Sequence, residues 1–123
     1  MQTNESQVEK HARLAHQMLD QAKGEAAAGD LTQGAEKFWG ATTQALKSYC
    51  ASHGMPHGRY QHLRQAVLDL ALRQDNPSIR LAFNTARACH SNFYNDWMEQ
   101  EDLDSYIPDI EELVRIILDA RAQ

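Results

Sequence analysis

The residues with the clearest chemical potential share one amphipathic helical pattern in the last third of the chain. His90 falls near the centre of its apolar stripe. Arg87 precedes His90 by three residues, which makes the two side chains neighbours on a helix. An imidazole beside a guanidinium can bind an anion or transfer a proton. With Arg80 and Asn84 on the flank and Tyr94 one turn further on, these five residues form the predicted ligand-binding site.

A structural role for His90 is the alternative interpretation. A histidine on an apolar face is commonly a core residue whose ring is hydrogen-bonded to a backbone carbonyl or a tyrosine. The flanking arginines would then be solvated or would pair with the acidic segment that follows. The sequence has no glycine-rich phosphate loop, no nucleophile elbow, no paired-histidine metalloprotease helix and no Cys-x-x-Cys. We therefore predict a binding site without catalytic residues.

Two further groups of residues have weaker chemical potential. His53, His57 and His62 could supply imidazole ligands to zinc, but their spacing fits no structural zinc signature. We predict surface histidines, no metal site and no cofactor. Glu36 lies about 60° from Trp39 on a helical wheel and could line the edge of a cavity, although an exposed helix surface is the favoured interpretation.

Helical periodicity extends over nearly the whole chain, and strand patterns are missing. We predict five helices, at about 5–28, 31–52, 59–73, 77–98 and 104–120. Gly29 and Asp30 are typical of a helix end and a helix start, and Pro108 requires the fifth helix to begin at Asp104 or Ser105. A line of small residues on the second helix permits close approach of another helix, either within the chain or between chains. Its members are Gly34, Ala41 and Ser48.

The predicted architecture is therefore all-α: a single domain over residues 1–123, with a core at about 8–120. Four long helices and one short helix would form a bundle. The chain has 123 residues, a size typical of one domain. Its longest apolar runs of three or four residues cannot cross a bilayer, and residues 1–9 lack the pattern of an export signal, so we expect a cytoplasmic protein. Cys50 and Cys89 are expected to be small buried side chains or, less often, a redox pair.

The net charge of −5 disfavours nonspecific coating of nucleic acid, but the charge is unevenly distributed. Residues 47–87 contain six lysines and arginines against two acids, whereas residues 96–112 contain eight acids and no basic residue. We expect the basic surface to meet the acidic region, either within the bundle or across a dimer. A local anion-binding surface is compatible with this distribution.

Three motifs occur in a recognisable order: Gly29-Asp30, the run 35–41 (Ala-Glu-Lys-Phe-Trp-Gly-Ala), and the run 88–94 (Ala-Cys-His-Ser-Asn-Phe-Tyr). In this order they resemble HEPN-like helical proteins, particularly the small prokaryotic PaREP-type branch, over about residues 11–120. The resemblance implies a bundle of four or five helices, a homodimer, and a nucleotide or RNA as ligand. It also implies a nucleotidyltransferase-like protein as a possible partner.

Many members of the wider superfamily bind nucleotides or cleave RNA. The resemblance therefore makes a metal-independent ribonuclease the alternative function, with Arg87 and His90 as the catalytic pair. Members that cleave RNA use an arginine and a histidine at a wider spacing than the two residues that separate Arg87 from His90. A noncatalytic domain that binds a nucleotide-like anion or a partner protein is the favoured prediction.

Overall fold

The computed structural model describes residues 5–121, which form five α-helices and no strand. The helices are α1 (Gln7–Ala27), α2 (Leu31–Ser52), α3 (Tyr60–Arg73), α4 (Ser78–Asn95) and α5 (Gln100–Ala120). Four helices have 18 to 22 residues and α3 has 14. The predicted all-α bundle of four long helices and one short helix is confirmed. Of the predicted domain, residues 1–4 and 122–123 lie outside the described residues.

The turn between α1 and α2 is built as its sequence predicts. Gly29 has a φ of +86°, a left-handed conformation that glycine adopts without strain. The next residue, Asp30, is the N-cap of α2, and its carboxylate accepts a hydrogen bond from the backbone amide of Gln33 at 3.3 Å. The chain therefore reverses within three residues, and α1 and α2 pack against each other as an antiparallel pair.

The predicted line of small residues on α2 lies in this pair. Gly34 faces Ala26 so closely that an added Cβ would lie 3.1 Å from the Ala26 backbone nitrogen. At the other end, the Ser48 hydroxyl donates to the Val8 carbonyl at 2.7 Å, and Ala41 between them is fully buried. The small residues therefore serve packing within the chain.

α2 is the central helix and contacts each of the other four. Its core face carries Phe38, Leu46 and Tyr49, all of which are buried. The facing core residues of α4 and α5 are also buried: Ile79, Phe83, Ile110, Leu113 and Ile117. This arrangement leaves one side of α2 facing the N-terminus of α3 and the middle of α4.

The predicted start of α5 at Asp104 or Ser105 is wrong, because the helix begins at Gln100 and contains Pro108. Leu103, within the segment predicted to be a connection, is fully buried and fixes this first turn to the core. The Asp102 carboxylate accepts from the Glu99 amide at 2.9 Å and caps the turn. Asp104 and Pro108 are both exposed, so water can reach the carbonyl that proline leaves without a helical donor.

The end of α4 also differs from the prediction. The helix ends at Asn95 rather than near Met98, and Asp96 takes a left-handed φ of +49°. Phe93, Tyr94 and Trp97, which the pattern places on the apolar face, are exposed. The apolar stripe continues instead through Cys89 to the buried Asn92, and His90 lies at its edge.

The basic and acidic segments meet where α4 packs against α5, since Leu81 and Thr85 line one small pocket with Asp109 and Glu112. Within residues 5–121, no ion pair joins a residue of 47–87 to one of 96–112. Arg73 pairs within its own helix, with Asp69 at 3.0 Å. Within the described residues the two segments are therefore neighbours without an ion pair between them, and a contact across a dimer stays a prediction. The helices in residues 5–121 include none that is both long and apolar enough to cross a membrane.

Candidate anion-binding cleft

An open cleft of about 540 Å³ lies between α2, the loop before α3, the start of α3 and the middle of α4. The α2 wall consists of Trp39, Thr43 and Lys47, whose spacing of four residues places them on one side of the helix. The α4 wall consists of Arg87, His90 and Ser91. The remaining wall is formed by His57, Gly58, Arg59, Tyr60 and Leu63.

The cleft is cationic. Lys47, Arg59 and Arg87 contribute three permanent positive charges from three different segments, and no carboxylate is among the lining residues. Burial lowers the pKa of His57 below the ordinary histidine value, and electrostatic repulsion from His11 and Lys47 lowers it further. This imidazole is therefore neutral at pH 7. The cleft therefore combines three fixed cations with an uncharged ring.

His90 is held on two sides. Its Nδ1 donates to the Glu36 carboxylate, with distances of 3.0 and 3.2 Å to the two oxygens. Its ring stacks on Trp39 with centroids 5.3 Å apart and an interplanar angle of 26°. The His90 side chain is 40% exposed, so it is not a core histidine. Because Nδ1 is engaged by Glu36, Nε2 is the nitrogen that remains for a ligand.

Arg87 lies over an aromatic ring. The carbon of its guanidinium is 5.0 Å from the centroid of Tyr60, which in turn stacks on Phe83 at 6.2 Å. The cation–π contact restrains Arg87 while leaving its N–H groups available to an anion. Tyr60 is the first residue of α3, so the start of this helix sets the position of Arg87 on α4.

The structure brings together only part of the predicted site. Arg87 and His90 line the cleft. Tyr94 packs against the His90 ring in a T-shaped arrangement, with ring centroids 5.4 Å apart, but it is 73% exposed and does not line the cleft. Arg80 and Asn84 line a separate small pocket of about 40 Å³ between α3 and α4.

Sequence reasoning missed Lys47, Arg59 and Tyr60 as site residues and favoured an exposed surface for Glu36. The repeat of Trp39, Thr43 and Lys47 was a usable signal, because it places an aromatic ring, a hydroxyl and a cation on one side of a helix. The contribution of Arg59 had no comparable signal, because a loop has no periodicity.

The three histidines considered as zinc ligands, His53, His57 and His62, have separate environments. The His53 Nδ1 donates to the Tyr49 carbonyl at 3.0 Å, and the His62 Nδ1 accepts from the Arg59 amide at 3.2 Å. His57 instead faces His11 with ring centroids 5.3 Å apart. Among residues 5–121, no group of three or more histidines, cysteines and acids is placed to hold a metal ion.

Both cysteines are buried free thiols. Burial raises the pKa of Cys50 to about 11 and the pKa of Cys89 to about 12. Both are therefore protonated at neutral pH, which disfavours a nucleophilic role.

Comparison with known proteins identifies the family of this chain. No curated protein matches the chain. A crystal structure of a protein from Sulfolobus solfataricus has a TM-score of 0.76 and 21% sequence identity, over 87% of this chain and 95% of that chain, which shows a shared fold. The family model described as the archaeal PaREP1/PaREP8 family matches residues 10–114. Because this match covers most of the sequence, the chain belongs to the archaeal PaREP1/PaREP8 family.

Proposed function

We propose that this protein is a noncatalytic ligand-binding domain and that its cleft binds a nucleotide-like anion. The observation that carries the proposal is the composition of the cleft wall: Lys47, Arg59 and Arg87 converge from three segments without a carboxylate among the lining residues. Such a concentration of cations favours a ligand with several negative charges.

The aromatic residues of the wall favour a ligand that also carries a flat ring. Trp39 and Tyr60 both line the cleft. A nucleobase can pack against this aromatic lining while its phosphates reach the cations. The volume of about 540 Å³ is within the range of small-molecule pockets, which is about 300–1,000 Å³. A mononucleotide is the simplest ligand with these properties.

Arg87 and Arg80 provide a matched test, since both are exposed arginines on α4 and only Arg87 lines the cleft. We expect Arg87→Ala to weaken binding of adenosine 5′-triphosphate at least about tenfold, because hydrogen bonds to charged groups contribute about 1.5–3 kcal/mol each. Arg80→Ala is expected to change the affinity less than about twofold, because surface substitutions outside a site have small effects. Isothermal titration calorimetry of the native chain and both variants measures the difference.

Thermal melts of both variants check that the fold is retained. A native chain that does not bind the nucleotide at millimolar concentration would contradict the proposal. Equal losses in Arg87→Ala and Arg80→Ala would contradict the assignment to this cleft and favour diffuse electrostatic attraction.

A ribonuclease is the second candidate function. It is supported by the presence of Arg87 and His90 on the same cleft wall, with the Glu36 carboxylate bonded to the imidazole. A guanidinium could stabilise phosphate charge while the imidazole transfers a proton. An RNA-cleavage assay of the native chain and of His90→Ala distinguishes the two candidates, since only cleavage that depends on His90 supports the enzyme.

We also propose that the fold is HEPN-like and that the protein forms a homodimer. The order of the motifs at 29–30, 35–41 and 88–94 supports both. Besides a second copy of this chain, we propose a nucleotidyltransferase-like protein as a binding partner. The small residues of α2 are occupied by α1, so a dimer would have to use another surface.

A further inference from the structure

The contact between Glu36 and His90 determines which imidazole nitrogen on the α4 wall of the cleft can form a hydrogen bond with a ligand. Both carboxylate oxygens lie within 3.2 Å of Nδ1, and the stacked Trp39 ring restrains the imidazole from one face. The hydrogen on Nδ1 is therefore held by the carboxylate. Nε2 then accepts a hydrogen bond when the ring is neutral and donates one when the ring is protonated.

A terminal phosphate is complementary to such a nitrogen in both states. Its second ionisation falls near pH 6, so both the singly and the doubly charged forms of the phosphate occur around neutral pH. A terminal phosphate that still carries its proton donates to Nε2, whereas the fully ionised group accepts from the imidazolium. In each case one proton lies between the phosphate oxygen and Nε2. An internal phosphodiester has no such proton, so it can pair only with the imidazolium.

The other charges around the cleft are compatible with a doubly charged end group. Lys47 on α2, Arg59 in the loop and Arg87 on α4 line the same cleft as His90. His57, the other titratable group of the wall, is neutral at pH 7 because burial lowers its pKa. Tyr94, on the same helix as His90, packs against the ring in a T-shaped arrangement with an interplanar angle of 88°.

We propose that Glu36 is a positioning residue for His90, and that this pair makes the cleft select ligands with a terminal phosphate over ligands with an internal phosphodiester. The proposal rests on the proposed function, because it specifies which phosphate the cleft recognises. Glu36 acts through His90 and does not line the cleft itself.

The test compares adenosine 5′-monophosphate with its phosphate methyl ester, which share a base and a sugar and differ at the phosphate. Calorimetry at pH 7 would use the full chain, Glu36→Ala and a control, Glu25→Ala. Glu25 is a matched residue, because it pairs with Lys37 away from the cleft and is as exposed as Glu36, at 30% against 31%. We expect the native chain and Glu25→Ala to bind the monophosphate about tenfold more tightly than the ester.

In Glu36→Ala we expect this preference to fall to about twofold. The direction separates positioning from simple charge, because removing a negative charge near a cationic cleft would by itself favour the dianion and widen the preference. Glu36→Gln, whose amide oxygen can still accept from Nδ1, should restore part of the preference. The ¹⁵N NMR signals of His90 without ligand should show the Nδ1–H tautomer in the native chain and a mixture of tautomers in Glu36→Ala.

Equal affinity of the native chain for the two ligands would overturn this inference while leaving the proposed function intact. An unchanged preference in Glu36→Ala, or the same loss in Glu25→Ala, would also overturn it. If the native chain binds neither ligand, this inference is wrong. If it also fails to bind adenosine 5′-triphosphate, the proposed function is wrong as well. Thermal melts of the variants show whether a lost preference reflects a lost fold, and Glu36→Gln carries the test if Glu36→Ala does not fold.

Discussion

Asn92 fixes the turn that joins α4 to α5. Its side chain is fully buried, and its Oδ1 accepts hydrogen bonds from the backbone amides of Trp97 at 2.9 Å and Met98 at 2.7 Å. Asp96, directly before Trp97, has a φ of +49°, a left-handed conformation that is uncommon outside glycine but that aspartate adopts more readily than most residues. One amide oxygen therefore satisfies two backbone donors at the end of the helix that carries Arg87 and His90.

We expect Asn92→Ala to lower the free energy of unfolding by about 2–3 kcal/mol, because two backbone N–H groups lose their acceptor in a place that water reaches poorly. The matched control is Asn84→Ala on the exposed side of α4, which should change it by less than about 0.5 kcal/mol. Urea unfolding followed by circular dichroism measures both values. Similar values for the two variants would contradict the capping role of Asn92.

The helical wheel could not show that Asn92 is buried and that His90 is partly exposed. The wheel correctly places them on nearly opposite sides of α4, but it does not show which side the neighbouring helices cover. The structure covers Asn92 and leaves His90 at the edge of the cleft. Glu36 is 54 residues from His90 in the sequence, so their contact depends on how α2 packs against α4. For this reason the sequence could suggest an anion site at Arg87 and His90 but not its other walls.

Helices, in contrast, were predictable wherever a local signal fixes their ends. Asp30 begins α2 and Gly29 ends the turn before it, because a side-chain cap and a left-handed glycine act within a few residues. The start of α5 was not predictable in this way. The proline rule gave more weight to Pro108 than to Leu103, whose burial in the core stabilises about one further helical turn.

The α1–α2 pair gives a prediction at the scale of elements. Alanine is favoured over glycine within a helix by about 1 kcal/mol. Gly24 is exposed on α1, and an added Cβ would meet no other atom within 4 Å, so Gly24→Ala should stabilise the protein by up to that amount. Gly34→Ala should instead destabilise it by about 1–3 kcal/mol, since the new Cβ would meet the backbone of Ala22 and Ala26 at 3.1 to 3.4 Å. Thermal unfolding of both variants measures the opposite signs. A stabilising Gly34→Ala would show that the two helices separate easily.

The charge distribution of the whole molecule is more uneven than its net charge of −5 indicates. The cations of the cleft lie within residues 47–87, and the acids of 96–112 begin directly after α4. Within residues 5–121 these two groups form no ion pair with each other. Two of the acids pair elsewhere in the chain, Glu111 with Lys23 and Glu112 with Arg115. The other acids carry no such pair among the described residues, so the acidic surface of one copy could approach the basic surface of another.

This arrangement predicts a salt-sensitive homodimer. At tens of micromolar protein and about 0.05 M salt, we expect sedimentation velocity to show a dimer, because charges are screened weakly at low ionic strength. At about 1 M salt the Debye length falls to about 3 Å, and the same sample should shift toward monomer.

Added adenosine 5′-triphosphate should have the same effect if the acidic surface of the partner occupies the cleft, since both would compete for Lys47, Arg59 and Arg87. A chain that stays monomeric at both salt concentrations would contradict the dimer. A dimer that resists salt would instead place the contact on apolar residues such as the exposed Leu72 and Leu81.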